Sequence, residues 1–165
     1  MHTIIDVKSH AARLREALDG LGHQLKHSKC LEAISQLEGY PDWNTQTAEI
    51  IRNQGRAEQF LDEMIEAEQE LSYAKFTRRF EKKYLVGFLE HHFQKDMREI
   101  REEIGNYISR EFLGCVSGKQ VEGDNRYPNL VRYVWRGVFD KNEVLITVGI
   151  YSIDGNYYVC EARYR

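Results

Sequence analysis

The sequence predicts an α+β fold, with an N-terminal helical module and long helices packed on a C-terminal three- or four-stranded antiparallel meander. Apolar residues recur at steps of three and four up to residue 112, which is typical of helices. The last third is instead rich in β-branched and aromatic residues that alternate with polar ones, which favours strands. The chain has 165 residues, of which 42% are apolar, so it can bury a core and is not disordered throughout.

The first helix is predicted over residues 7–19. Asp6 is expected to be its N-cap, because a carboxylate can accept hydrogen bonds from the free amides of the first turn. Gly20 and Gly22 are expected to end it. The residues that share its apolar face are Ala11, Leu14, Leu18 and Leu21.

Two further short helices are predicted before residue 56. Ser28 is a suitable N-cap for the second helix, and Gly39 stands where its C-terminal cap belongs. Pro41 disfavours helix at the residue before it, so Asp42 is expected to cap a third helix that ends at Gly55. The side chains expected to face the core are Leu31, Ile34 and Leu37 in the second helix, and Trp43, Ala48 and Ile51 or their neighbours in the third.

The region from residue 57 to residue 112 contains no proline and predicts two helices, at about 57–71 and 76–112. A break near residues 71–74 is simpler than one continuous helix, which would be about 80 Å long. A protruding arm that needs a partner is the alternative. The predicted domains are residues 1–56 and 57–165, although the boundary could instead lie near 72–76.

Three strands are predicted in the C-terminal third, at residues 130–139, 144–151 and 157–163. Asp154-Gly155 is a strong signal for a tight hairpin between the last two. A fourth strand could lie near residues 112–121. A small sheet of this kind needs a helix on one face, and the long helix before it is the expected cover.

Charge and cysteine content limit the function classes. The net charge is −3, whereas residues 75–110 carry nine basic and six acidic groups, so only this region is basic. Three widely spaced cysteines without a Cys-x-x-Cys pair indicate thiols in a reducing compartment. No apolar stretch approaches the ~20 residues of a membrane span. We therefore expect a cytoplasmic protein that does not interact with membranes.

One local motif points to a family. It begins with His27-Ser28, continues through an apolar helix containing Leu31-Glu32, and ends in the run Gly39-Tyr40-Pro41-Asp42-Trp43-Asn44-Thr45. Read from the residues alone, this is a structural motif, in which Ser28 and Asp42 cap helices, Gly39 permits a tight exit, Trp43 seals a small core and Asn44 can hydrogen-bond the helix start.

The motif resembles that of the glyoxalase-related protein domain, a small bacterial helical module, over about residues 5–50. The resemblance implies a module that is common on plasmids and other mobile elements and is often attached to unrelated segments. No catalytic residue of the family matches a position here, and residues 57–165 lie outside the resemblance.

Two sets of residues are candidate binding sites. A basic run interleaved with aromatic residues suggests contacts with nucleic-acid phosphates or with an acidic protein; its cations are Arg78, Arg79, Lys82 and Lys83. The predicted sheet is rich in Tyr, Trp and Arg, which are enriched at protein interfaces and can also stack on bases. Its candidate residues are Arg132, Tyr133, Trp135 and Arg136.

No metal site, cofactor or catalytic residue is predicted. The histidines at positions 10, 23 and 27 lack the His-Glu-x-x-His spacing, and His91 and His92 are adjacent, so they point about 100° apart on a helix. We therefore expect a non-enzymatic interaction or regulatory module of a mobile-element protein that associates with itself or another protein. The alternatives are a metal-dependent glyoxalase-like enzyme and a nucleic-acid-binding accessory protein that uses residues 75–84.

Overall fold

A computed structural model of the protein describes residues 3–117 and 127–165. The chain forms two compact units, the helical unit Met1–Gly55 and the sheet unit Arg56–Arg165. The α+β fold class is confirmed. The helices are α1 Ile4–Gly20, α2 His27–Leu37, α3 Trp43–Gln69, α4 Tyr73–Thr77 and α5 Glu90–Ile104, and the strands are β1 Tyr107–Ser117, β2 Val131–Phe139, β3 Glu143–Ile153 and β4 Asn156–Tyr164.

Helix α1 begins three residues earlier than predicted, because Thr3 rather than Asp6 is its N-cap. The two side chains form a capping box, in which the Thr3 Oγ1 accepts from the Asp6 amide and the Asp6 Oδ2 accepts from the Thr3 amide at 2.8 Å. Asp6 therefore stabilises the helix start from the third helical position. The predicted exit at residues 20–22 is confirmed.

The inward face of α2 is rotated from the predicted one. The helix begins at His27 after Lys26, without a side-chain cap, so the prediction that Ser28 is the N-cap was wrong. Leu37 is 81% exposed, whereas Cys30 and Leu31 are buried. The core of the helical unit consists of Val7, Ala11, Cys30, Leu31 and Ile50, with Ile4, Leu14, Ile34 and Trp43 packed against it.

Helix α3 continues through Gly55, so the predicted end at this residue was wrong. Glycine costs only about 1 kcal/mol inside a helix, and the buried positions continue at helical spacing on both sides of it. Ala48 and Ile51 are exposed, whereas Ile50, the neighbour of Ile51, is buried. The inward positions of α3 are Gln46, Ile50, Asn53, Ala57, Phe60, Leu61, Met64, Ile65 and Ala67.

The helix predicted over 76–112 is interrupted: α5 covers Glu90–Ile104 of this range, whereas the chain from Tyr107 onward belongs to β1. Leu71, with φ 53°, follows the end of α3, and Ser72 caps the five-residue helix α4. A 3₁₀ turn at Lys82–Tyr84 and helix α5 come next. The aromatic spacing suggested one helix, but these rings form a folded cluster, whose ring centroids lie 4.8 Å apart for Phe76–Phe93 and 5.7 Å apart for Phe76–Phe80.

Gly105 marks the change from helix to strand. It follows α5 with φ 90°, and a Cβ on it would lie 1.6 Å from the Asp140 Oδ1. The same carboxylate accepts hydrogen bonds from the Asn106 amide and side chain at 2.8 and 2.9 Å. Only glycine combines this backbone conformation with so close an approach.

The four strands form an antiparallel sheet in the order β1-β2-β3-β4. The three predicted strands are confirmed, and Asp154 and Gly155 form the tight turn between β3 and β4 with φ 50° and 78°. The fourth strand is also present as β1, which begins five residues earlier than predicted. Its predicted continuation over 118–121 lies outside the described residues.

One face of the sheet is covered within the sheet unit. Its buried residues alternate along the strands as Val131, Tyr133, Trp135, Ile146, Val148, Ile150 and Val159. Glu58 and Glu68 of α3 reach this face, since Glu58 accepts from the Trp135 Nε1 at 2.7 Å and Glu68 accepts from the Tyr164 hydroxyl. The second half of α3 thus supplies cover that the sequence analysis assigned to a later helix.

Candidate binding surfaces

The family-like motif lies around a buried polar network in the helical unit. Ser35 donates to the Gln46 Oε1 at 2.7 Å and to the Leu31 carbonyl at 2.9 Å, and the Gln46 Nε2 donates to the Glu38 Oε2 at 2.7 Å. Ser35 and Gln46 are almost completely buried. The network joins α2 to the start of α3 through paired groups, which is a structural role.

The predicted motif residues have separate local roles. Gly39 leaves α2 with φ 88°, and the Asp42 Oδ1 accepts from the Thr45 amide at 2.7 Å, so the cap is present. This hydrogen bond lowers the pKa of Asp42. Trp43 packs against the core, whereas Ser28 and Asn44 are exposed.

The cations of the basic run do not form one patch. Arg79 donates two hydrogen bonds to Glu63, at 2.7 and 2.8 Å, and Lys83 forms an ion pair with Glu81 at 2.8 Å. Arg78 and Lys82 are exposed. The reason is that helix α4 ends at Thr77, so these four side chains do not follow neighbouring turns of one helix.

The four candidate residues of β2 divide between the two faces of the sheet. Tyr133 and Trp135 are 4% and 0% exposed in the core, whereas Arg132 and Arg136 point to the opposite face. Arg132 forms an ion pair with Glu161. Because side chains alternate along a strand, these four residues do not share a surface.

The opposite face carries the open sheet patch, which we define by Val116, Arg132, Val134, Arg136, Leu145, Thr147, Glu161 and Arg163. Val116 and Leu145 are 61% and 47% exposed. A shallow depression of about 300 Å³ lies on the patch between Val116 and Arg163. Near the β3–β4 hairpin the same face is instead covered, because the Tyr127 ring packs 5.1 Å from that of Tyr151.

A second surface feature is the arginine groove, of about 460 Å³. Helix α3 contributes one wall, the residues after α4 another, and the β3–β4 hairpin the third. Its lining residues are Arg56, Gln59, Phe60, Arg78, Arg79, Gly155, Asn156, Tyr157 and Tyr158. Arg78 and Arg79 stand out in the sequence as part of the basic run, whereas Arg56 does not, because it lies in α3, far from Arg78 along the chain, and the fold brings them together.

Glu68 is the most perturbed carboxyl group among the described residues. Burial raises its pKa to about 7, although Tyr164 and Arg101 act in the opposite direction. Its Oε2 accepts from the Tyr164 hydroxyl, while its buried Oε1 has no hydrogen-bond partner within the described part of the chain. A cavity of about 40 Å³ adjoins Glu68. The sequence offers no signal for this site, since Glu68 follows an ordinary helical pattern.

The described part of the chain places no three metal-ligating side chains, histidines included, around one point. His91 and His92 are both exposed, with ring centroids 4.0 Å apart at the start of α5. Across residues 3–117 and 127–165, no group of three His, Cys, Asp or Glu side chains is placed to hold a metal ion. No helix in these ranges is long and apolar enough to cross a membrane.

Comparison with known proteins gives a family match for the N-terminal part of the chain. A family model described as "Glyoxalase superfamily protein" matches residues 1–76, which confirms the resemblance of the N-terminal module. The match includes the Ser35–Gln46 network and ends at Phe76, so the whole sheet lies beyond it. No curated protein and no solved structure matches the chain.

Proposed function

We propose that the protein is a non-enzymatic interaction module that associates with a second copy of itself through the open sheet patch. The observation that carries this proposal is the combination of exposed apolar side chains and balanced charges on one face of a four-stranded sheet. Glyoxalase-like chemistry and nucleic-acid binding by the run 75–84 remain alternatives. The dispersal of the basic run makes the second of these less favourable.

The apolar part of the patch follows the sheet register. Leu145 is opposite Arg136, Val134 is opposite Thr147, and Val116 is opposite Arg132. These residues therefore lie on one face in adjacent rows. Burial of apolar side chains such as Val116 and Leu145 against a partner stabilises association by about 25 cal/mol per Å² of apolar area.

The charges of the patch suit a second copy. Arg136 pairs with Glu111 at 2.8 Å and approaches Glu143 at 4.0 Å, while Arg132 and Arg163 both pair with Glu161. Three arginines and three glutamates thus alternate on and around the patch. A two-fold interface requires a self-complementary surface, which such a mixed pattern provides and a surface of one sign does not.

The edge strand β1 supports the same proposal. Among the described residues it pairs with β2 alone, and it exposes Ile108 and Leu113 at its two irregular positions. Exposed edge strands are prone to pair with another chain, and irregularities of this kind restrict where such pairing can occur. Because pairing along the β1 edge is restricted in this way, we favour association through the face of the sheet, at the patch.

The wider setting that we propose follows from the family resemblance. The module would belong to a bacterial mobile-element or plasmid protein and act in the cytoplasm. Cys30, Cys115 and Cys160 are not in disulfides among the described residues, which fits a reducing compartment.

Native mass spectrometry and light scattering over a range of concentrations test the proposal. We expect a dimer for the unmodified protein and a monomer for Leu145→Glu, because a second copy would bury the introduced carboxylate. Val86→Glu is the matched control, since Val86 is an exposed apolar residue of the sheet unit outside the patch. A monomeric unmodified protein, or equal effects of both substitutions, would contradict self-association through this patch.

A further inference from the structure

The charges of the open sheet patch are unevenly distributed across its four strands. Among the described side chains that line the depression on the β4 side, three arginines accompany one glutamate; these are Arg132, Arg163, Arg165 and Glu161. Glu161 forms ion pairs with both Arg132 and Arg163, and the distance to Arg163 is 2.9 Å. Arg165 is exposed beside them. The depression therefore has an excess of positive side chains and suits a carboxylate.

The β1 side of the patch has the opposite balance. Glu111 of β1 and Glu143 at the start of β3 have side chains that are 61% and 59% exposed. The Arg136 guanidinium contacts both of them, at 2.8 Å from Glu111 and 4.0 Å from Glu143. One arginine thus accompanies two glutamates at this end. An exposed carboxylate here can form a further ion pair with a cation from another chain.

The sheet register places the two ends in one row. Glu111 is opposite Arg136, which is in turn opposite Leu145. Leu145 exchanges backbone hydrogen bonds with Arg165, at 2.7 and 3.0 Å. Side chains of directly opposite residues lie on the same face of a sheet. Because neighbouring strands are about 4.8 Å apart, Glu111 and Arg165 stand about 14 Å apart, too far to pair within one copy.

We infer that two copies associate about a two-fold axis parallel to the strands, so that Glu111 of each copy enters the depression of the other and pairs with Arg165. This inference rests on the proposed self-association and adds its orientation. An axis of this kind between β2 and β3 places β1 of one copy over β4 of the other and keeps each row opposite itself. Packed sheets usually keep their strands within about 30° of each other, as here. The two-fold symmetry makes the contact twice.

An axis perpendicular to the strands fits the charges less well. It would place β2 over β2, so an axis through the row of Arg136 would bring this arginine to its own copy. An axis through the row of Val134 would bring Arg136 to Arg132 of the second copy. Like charges that face each other across an interface are unfavourable. The parallel axis instead places Arg136 over Leu145, whose 47% exposed side chain the arginine stem can cover.

Charge reversal tests this orientation, with native mass spectrometry and light scattering as the measurements. Glu111→Arg and Arg165→Glu each put like charges into both contacts of a homodimer. Each variant alone should therefore dimerise about tenfold more weakly than the unmodified protein, as expected for two exposed ion pairs. In a mixture of the two variants, both contacts of the heterodimer again pair an arginine with a glutamate. The heterodimer should form with nearly the affinity of the unmodified dimer, and its mass identifies it.

Glu99→Arg is the matched control. Glu99 is 63% exposed and pairs with Lys95 on α5, outside the patch, so it resembles Glu111 in exposure and in having a partner. The substitution should leave dimerisation unchanged, and it should restore the association of Arg165→Glu less well than Glu111→Arg does. Recovery in the mixture also separates a lost contact from a folding defect, because mixing two misfolded chains would not restore a dimer.

The outcomes distinguish the orientation from the self-association on which it rests. A heterodimer that is favoured over both homodimers would support the orientation. If the unmodified protein is a dimer and the mixture shows no such preference, the orientation is wrong and the proposed self-association stands. If the unmodified protein is a monomer at all concentrations, both are wrong.

Discussion

Helix α3 carries the buried Gln46 in its first half and the partly buried Glu68, with a buried carboxyl oxygen, in its second half, and the two side chains are hydrogen-bonded to different degrees. The Gln46 amide has Ser35 as a donor to its oxygen and Glu38 as an acceptor for its nitrogen. Glu68 uses one oxygen for Tyr164, and its other oxygen has no partner among the described residues. The same helix thus carries a satisfied network in one unit and an unsatisfied carboxyl group in the other.

Buried polar groups can therefore have two different roles in this protein. A satisfied network specifies which side chains face each other and changes little with solution conditions. An unsatisfied carboxyl group is destabilised in its charged form and therefore responds to pH. The helical unit should accordingly be insensitive to pH near neutrality, whereas the sheet unit should not.

The largest effect on stability is expected for a substitution in the covered face of the sheet. Trp135→Ala should lower the free energy of unfolding by about 3–5 kcal/mol, because it removes a completely buried ring. Trp135→Phe should cost less, about 1–3 kcal/mol, since it mainly removes the donor to Glu58. Urea denaturation followed by circular dichroism measures both, and equal losses would show that the hydrogen bond to Glu58 dominates.

The next effect concerns the pH response of Glu68. Its pKa is raised from 4.5 to about 7, so the folded state holds a proton that the unfolded state releases. The contribution of Glu68 to stability is therefore greatest below pH 4.5, falls as the pH rises from 4.5 to about 7, and is constant above that. The total loss is at most about 3 kcal/mol.

Glu68→Gln tests this response because glutamine is the uncharged analogue of the protonated acid. The variant should lose the decline and exceed the unmodified protein in stability at about pH 8, while the two should be similar at about pH 4.5. Urea unfolding at the two pH values measures the difference. A decline that persists in Glu68→Gln would assign the pH response to another group.

A smaller effect is expected in the helical unit. Ser35→Ala leaves the buried Gln46 oxygen without its donor and should cost about 1–3 kcal/mol at every pH from 5 to 8. Gln36→Ala, at the exposed neighbouring position, is the control and should have little effect. Hydrogen exchange of residues 27–55 measures both. If the loss of unfolding free energy in Ser35→Ala depended strongly on pH, the two buried polar sites would not differ in their response to pH.

The smallest effect concerns an exposed ion pair on α3. Arg52 approaches Glu49 at 4.0 Å; the arginine side chain is exposed and the glutamate side chain is partly exposed. Arg52→Ala should therefore change the unfolding free energy by less than about 0.5 kcal/mol. Thermal unfolding measures it. A larger loss of unfolding free energy would show that exposed ion pairs, and not only buried polar groups, distinguish the two halves of α3.

The sequence predicted elements where local chemistry determines structure. The Asp154-Gly155 turn, the Asp42 cap and the three C-terminal strands depend on residues close in sequence, and they are present. The prediction of one continuous helix over 76–112 was wrong because Phe76, Phe80 and Phe88 recur at multiples of four residues but pack on each other across turns of the chain. The spacing of apolar residues along a sequence indicates which of them are buried. Here a cluster of rings from several short segments has the same spacing as one face of a helix.

The candidate sites were harder to predict for a related reason. Arg78 and Arg79 were identified from local charge, but the third arginine of the groove comes from α3 and its aromatic support from β4. Tyr133 and Trp135 were grouped with Arg132 and Arg136 by composition, although strand alternation separates the two pairs. The type of a residue can be read from the sequence directly. The surface on which its side chain lies depends on contacts between residues that are distant in sequence.

The order β1-β2-β3-β4 has a consequence for folding kinetics. Every strand pairs with the strand that precedes or follows it in the chain, so no pairing requires closure of a loop across another strand. Such sheets have low contact order for a β structure and fold faster than sheets with distant pairings. The tight β3–β4 turn makes this hairpin the first pairing expected to form, and the sheet would then grow toward β1 before α3 covers it.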